Sequence, residues 1–593
     1  MKSWILLILL FTGCAYRSAS LLPPQVSEPA PIGDRYVFIL LLDGARPGEI
    51  DQAVDQGLMP NLKRLFYEEG ARFENALTVF PTVSTPAHQA LLSGLQPGHH
   101  GIPNLDWFSR PLEKYIDYLH PMYWSWTNLF MFNSLQVFED RIRDDRPALI
   151  FETLRGHPSL AVYETANSGA TSVLPSLPPI LTGYKGKFQG FYEVFDAKAL
   201  NAVLQRFKKD PPENLPRFTM AVCYGMDLVN HYVHPQSERA QDLLRLYDRF
   251  LGEFERTLKD RGIFDKTLLV VTSDHGQHDV DGGMVDLGAY LHQIGLRADL
   301  ANPKKSQVMW GDHGVTFSNL YFKLGDDWTR RPSYRELRDY TAADGKRIDL
   351  VERLLAHPDI EWLVTAEGLG KTHIHRDGQH ALILRKKVGD EILYSYQPDP
   401  GQDPLDYLGD PLLRSWSDKR EYHDAEAWLK ATGHLAIPDA VVAIPQLFDD
   451  FRIGDLILMT SKRTQFHDPR PSGHGSIWRE DRHIPLMFHG PGIRAGLLPY
   501  ARIVDVYPTL MAYYGLQSPG PVDGQVRLGL FSEADRKEFA AVESEGEGGL
   551  SRQAWEEELR SKLGSGKLSA AEEEKAKVLL DGLEALKAAG GPL

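Results

Sequence analysis

YVFILLLD, residues 36–43, runs seven apolar or aromatic residues without a break into an aspartate. A strand half-exposed to water would alternate apolar and polar residues. An unbroken run instead indicates burial on both faces, as in a parallel sheet. Five more runs of strand length follow: SLAVYE (159–164), FTMAVCYG (218–225), TLLVVTSD (267–274), DLILMT (455–460) and PLMFHG (485–490). Helical stretches lie between them. From Glu238 to Lys259 the residues Leu243, Tyr247, Leu251 and Phe254 recur at helical spacing and make one apolar face. Strands alternating with helices predict an α/β fold in which helices cover both sides of a mostly parallel sheet. Functional residues of such sheets collect beyond the C-terminal strand ends. Asp43 and Asp274 close their strands there, and Asp227 follows just after another.

Composition narrows the class. At 593 residues, 42% hydrophobic and 24% charged, the chain is globular and too long for one simple core. A formal charge of −15 argues against nucleic acid as a standing partner but leaves small phosphoesters open, because bound metals invert the local field. The two cysteines, Cys14 and Cys223, make no disulfide framework, and Cys223 reads as a buried strand residue. Residues 1–13, MKSWILLILLFTG, have the outline of an export signal and are too short for an ordinary membrane span. With Cys14 after Phe11-Thr12-Gly13, the segment resembles a bacterial lipoprotein signal. It implies lipidation at Cys14, a tether over residues 14–34 and a membrane-anchored place in the cell envelope, facing periplasm or cell surface. Cleavage after Ser20, giving a soluble periplasmic or secreted protein, is the alternative.

The strand runs place the core in residues 35–300 and 450–530, with residues 301–449 as an inserted cap region and 545–593 as a helical tail. Within the tail, Ser569 and Glu572 have capping-box spacing. Residues 105–150 hold Trp107, Tyr123, Trp124, Trp126, Phe130 and Phe132, which suit a small packed subdomain or an apolar wall beside a site.

Six motifs carry chemistry. Asp43 ends the first strand. FPTVSTPAHQALLSG (80–94) is a Pro/Thr/Ser turn entering an apolar helix, which puts a hydroxyl at the end of a helix that favours anions. Ser84 is the candidate nucleophile, with Thr82 and Thr85 as rivals, and with no adjacent base it calls for metal activation. His100-Gly101-Ile102 precedes Asn104. In YGMDLVNHYVHP, Asp227 and His231 share a helical face, with His234 as a further candidate. VVTSDHGQH brings Asp274 and His275, and PSGHGSIWRE brings His474.

This ordered set resembles the alkaline phosphatase superfamily, and within it the type I phosphodiesterase/nucleotide pyrophosphatase family. The resemblance implies a three-layer alkaline-phosphatase-like core and two divalent metal ions, zinc in the family. One would be held by Asp227, His231 and His474, the other by Asp43, Asp274, His275 and the oxygen of Ser84, with Asn104 on a phosphoryl oxygen. Ser84 stands where relatives commonly have Thr. The activity implied is hydrolysis of phosphodiester or pyrophosphate bonds through a phosphoseryl intermediate, on a nucleotide or a lipid headgroup. A phosphomonoesterase or a phospho-headgroup transferase shares the metal core. A sulfatase is more remote, since His88 replaces the arginine of that signature and no cysteine stands at position 84. A non-catalytic surface binding protein would have to have kept every ligand without use. Two further strings, Trp310-Gly311-Asp312-His313-Gly314 and His373-Ile374-His375, are expected to be a surface or insertion-lining turn and a solvated strand, the latter for want of a third ligand nearby.

Overall fold

The computed structural model describes residues 30–117, 149–174, 192–389, 391–466 and 469–544, with Arg560, Ser561 and Leu563 beyond. Cys14 and its signal, Tyr123 through Phe132 of the aromatic stretch, and the predicted cap at Ser569 lie outside the described residues. Among the described residues no helix is long and apolar enough to cross a membrane.

A nine-stranded sheet organises the chain. Tyr36–Leu42 lies inside it, parallel to Phe218–Cys223 on one side and Thr267–Thr272 on the other. Ser159–Val162 and Ser172–Leu174 extend the parallel part. Every residue of Tyr36–Leu42 is buried, which is why its sequence carries no alternation. Glu238–Asp260 lies on this sheet with Leu243, Tyr247, Leu251 and Phe254 all buried, and Phe254 packs on Phe38 with ring centroids 4.4 Å apart. Deleting such a side chain costs on the order of 3–5 kcal/mol.

Two of the six apolar runs are not parallel strands. Leu486–His489 joins the main sheet antiparallel to Thr267–Thr272. Leu456–Thr460 leaves that sheet altogether. It sits inside a second, seven-stranded antiparallel sheet between Phe317–Phe322 and Ile360–Ala366. The cause is packing on both faces. Ile457 and Met459 point into one apolar cluster with Trp362 and Val364, while Leu456 and Leu458 point into another with Leu320 and Leu363. An unbroken apolar run reports two covered faces, and strand direction is a separate matter. Trp310–Gly314 is also strand rather than surface turn: Val308–Gly314 pairs with Phe317–Phe322, and Trp310 is buried.

His99 ties distant parts together. It bonds Asp523 (2.7 Å) and Asp449 (3.0 Å), and Asp449 is gripped in turn by Arg385 of the second sheet (2.7 Å). Burial opposes charge on His99, but Asp523 and Asp449 outweigh it and push its pKa up to about 10. A raised folded-state pKa stabilises fully below the unfolded value near 6.5, and the contribution is lost as pH rises through about 10. Urea unfolding of the wild type and His99→Gln at pH 6, 8 and 10 checks this. The stability gap between them is expected to be widest at pH 6 and to close by pH 10.

Candidate active site

The parallel strands deliver three carboxylates to one place. Asp43 follows Tyr36–Leu42, Asp274 stands two residues after Thr267–Thr272, and Asp227 lies in the first turn of helix Gly225–Tyr232 after Phe218–Cys223. The chain must pass close to itself there. Gly44 has φ +68°, and a Cβ on it would stand 2.7 Å from Gln277 Nε2 and 3.0 Å from the Asp227 Cα. Only glycine meets both demands.

Ser84 is the first residue of helix Ser84–Ser93, directly after the Val83 N-cap. It is half-buried, while its neighbours from Phe80 to Ala90 are buried. Its Oγ lies 3.3 Å from His275 Nε2 and 3.5 Å from Asp43 Oδ2. Thr82, one of the two rival nucleophiles, is fully buried and committed elsewhere: its Oγ1 donates to Ser476 O (3.0 Å) and accepts from Gly475 N (2.8 Å).

Two ligand groups flank this hydroxyl. Asp43, Asp274 and His275 form one; Asp227, His231 and His474 form the other, each with its ligand atoms within 4.8 Å of one another. They adjoin, since the His275 and His474 rings stack at 3.9 Å. All three imidazoles are held the same way. His231 Nδ1 donates to Ser472 O (2.9 Å), His275 Nδ1 to Gly276 O (3.0 Å) and His474 Nδ1 to Thr82 O (2.8 Å). Each Nδ1–H is thereby used on a carbonyl, and each Nε2 keeps a lone pair toward the carboxylates. Such aim suits a cation.

Electrostatics ask for the same thing. Burial, then Asp274 and Asp227, raise the Asp43 carboxyl well above its usual range. Burial likewise opposes charge on Asp227 and Asp274, but His231 beside the one and His275 beside the other carry both below the usual carboxylate range. Asp43 Oδ1 and Asp274 Oδ2 are buried with no hydrogen-bond partner. Buried carboxylate oxygens without a hydrogen-bond donor are costly, so these oxygens, beside the imidazole Nε2 atoms, fit divalent metal ions, and Asp and His are donors zinc accepts.

Supporting residues escaped the sequence motifs. His88 is buried between Glu164 Oε2 (3.0 Å) and Asp274 Oδ2 (3.5 Å), and these two carboxylates overcome its burial and raise its pKa well above the usual value. Gln277 donates to Asp227 and accepts from Ser472 Oγ (2.6 Å). The Gly-flanked loop of His474 leans on the second sheet: Thr316 N and Oγ1 both donate to His474 O, at 3.1 and 2.7 Å. Gly475, at φ +110°, lets that loop pass Gly314 O, from which a Cβ would be 2.0 Å away. The histidine in PTVSTPAH was visible, but Glu164, 76 residues on, left no motif.

The other expected positions fall outside these groups. Asn104 is buried, and its amide donates to Asp106 Oδ1 (2.9 Å). His234 is exposed. His373 and His375, expected on a solvated strand, are buried and half-buried, and His380 joins them as a third potential ligand.

The family model for type I phosphodiesterase/nucleotide pyrophosphatase matches residues 37–364. The chain belongs to that family. An uncharacterized pyrophosphatase/phosphodiesterase of Schizosaccharomyces pombe is 24% identical over 249 residues, 40% of this chain and 44% of the relative. Human arylsulfatase K is 37% identical over 65 residues, 11% of this chain and 12% of the relative. The matched stretches thus span less than half the length of these curated relatives. Human ectonucleotide pyrophosphatase/phosphodiesterase 5 superposes with a TM-score of 0.50 at 16% identity, covering 84% of this chain and 100% of that one. That likeness is one of fold: mixed α/β with a mostly parallel central sheet.

If His88 orients Asp274, His88→Gln should weaken metal binding at the Asp43–Asp274–His275 group by about 10–100-fold, the usual cost of losing a group that orients a ligand. Competition against a chromophoric chelator measures it; wild-type affinity in the variant would remove His88 from this role.

Proposed function

We propose that this protein is a two-metal hydrolase of phosphodiester or pyrophosphate bonds that works through a phosphoseryl intermediate, with zinc as its metal. One observation carries the reading: the Ser84 hydroxyl stands at a helix N-terminus beside two adjoining Asp/His groups whose imidazoles all present Nε2. Two divalent ions, when bound, supply charge stabilisation for the attacking and leaving oxygens of an in-line displacement. Asp43, Asp274 and His275 would hold one, and Asp227, His231 and His474 the other.

The chain's own residues set the course. Ser84 Oγ attacks phosphorus after its proton passes to solvent water, a loss that a divalent ion held by Asp43, Asp274 and His275 would favour. The P–O bond to the leaving group breaks as the Ser84 Oγ–P bond forms, and the positive end of helix Ser84–Ser93 favours the anionic phosphoryl group. Water then attacks phosphorus from the opposite side, releasing the phosphate product and restoring the hydroxyl. His474, fixed by Thr82 O and Thr316, and His231, fixed by Ser472 O, keep their group in register through both steps. A nucleotide or a lipid phosphodiester meets these requirements equally.

Turnover of bis-p-nitrophenyl phosphate against p-nitrophenyl phosphate, with zinc-loaded protein, tests the reading. A diester preference abolished in Ser84→Ala, with zinc content unchanged, is expected. A monoester preference would make the protein a phosphatase on the same site, and substantial activity in Ser84→Ala would remove Ser84 as nucleophile. Dialysis against a chelator should reduce turnover to background, and zinc should restore it.

A further inference from the structure

His373, His375 and His380 lie on the second sheet, outside the groups around Ser84. Strands Lys371–Arg376 and Gln379–Val388 are joined by Asp377 and Gly378, at φ +50° and +73°. Asp-Gly with both residues at positive φ is the tight hairpin turn that keeps strand register. It sets His375 directly opposite His380. His373, two residues before His375, shares that face. The ligand atoms of the three lie within 4.8 Å of one another.

The outer nitrogens point to what the inner ones do. His380 Nδ1 lies 3.0 Å from Asp399 Oδ2, and His373 Nε2 lies 3.2 Å from Glu367 Oε2. If each imidazole donates its proton to its carboxylate, His373 Nδ1 and His380 Nε2 face each other at 3.0 Å with a lone pair on each. Two facing lone pairs repel unless a cation lies beside both. Carboxylates on the far nitrogens of clustered histidines are the arrangement that orients imidazole ligands on a metal. Tyr334 stacks on His373 at 3.8 Å, and its hydroxyl lies 3.4 Å from His375 Nε2, which fixes both rings from the far side.

We propose that His373, His375 and His380 form a third metal site, separate from the catalytic one, that takes a borderline-soft divalent ion such as zinc. Three imidazoles with a water in the fourth place suit that ion. Glu367 and Asp399 orient the ligands. The bound ion pins the two strands of the hairpin to each other.

Full-length protein stripped with chelator, reloaded with Zn2+ and dialysed, then measured by plasma mass spectrometry, tests this. His380→Gln and His375→Gln should each hold about one zinc fewer per chain than the wild type while keeping its turnover of bis-p-nitrophenyl phosphate. The difference of one is the readout, whatever number the catalytic groups hold. Asp399→Asn keeps every ligand, guards against a folding artefact, and should weaken that one zinc by about 10–100-fold. Equal zinc content in the wild type and both histidine variants, or unchanged affinity in Asp399→Asn, would overturn the proposal.

Discussion

Three carboxylates, Asp43, Asp227 and Asp274, are brought together at the ends of three adjacent parallel strands, and the rest of the site answers that concentration of charge. Left alone they would repel one another or take up protons, as the raised Asp43 shows. His231, His275 and His474 turn their Nε2 atoms inward, and His88 carries a positive charge to Asp274 from behind. Stability and chemistry are therefore joined: the carboxylates that are costly to bury without cations are the ones that the proposed hydrolysis would use.

The second sheet is part of this answer. Its first hairpin supplies Thr316, whose N and Oγ1 hold the His474 carbonyl, and Gly314, which Gly475 must pass closely. His474 is thus positioned by residues that are not themselves ligands. Strand Phe317–Phe322, which follows Thr316 directly, is buried on both faces, so it resists displacement in a way that a surface loop would not.

Much of this was legible in the chain. The runs at 36–43, 159–164, 218–225 and 267–274 are the parallel strands, and the Asp and His residues at their ends converge around Ser84. What failed was an inference from apolar continuity to strand direction: LILMT at 456–460 lies between two apolar layers in an antiparallel sheet. Periodicity senses cover and is blind to direction. The Glu164–His88–Asp274 chain was hidden for another reason, since a buried acid paired across the fold leaves no local spacing. The histidines at 373, 375 and 380 were hidden only by their five-residue gap, which the Asp-Gly turn folds into a cross-strand pair.

The two groups around Ser84 differ in how they are drawn from the chain. Asp43, Asp274 and His275 are all made by residue 275, whereas Asp227 and His231 wait for His474, about 200 residues later. At ribosomal speed that interval is on the order of 10–40 s. A nascent chain thus carries every residue of one donor set well before the last residue of the other.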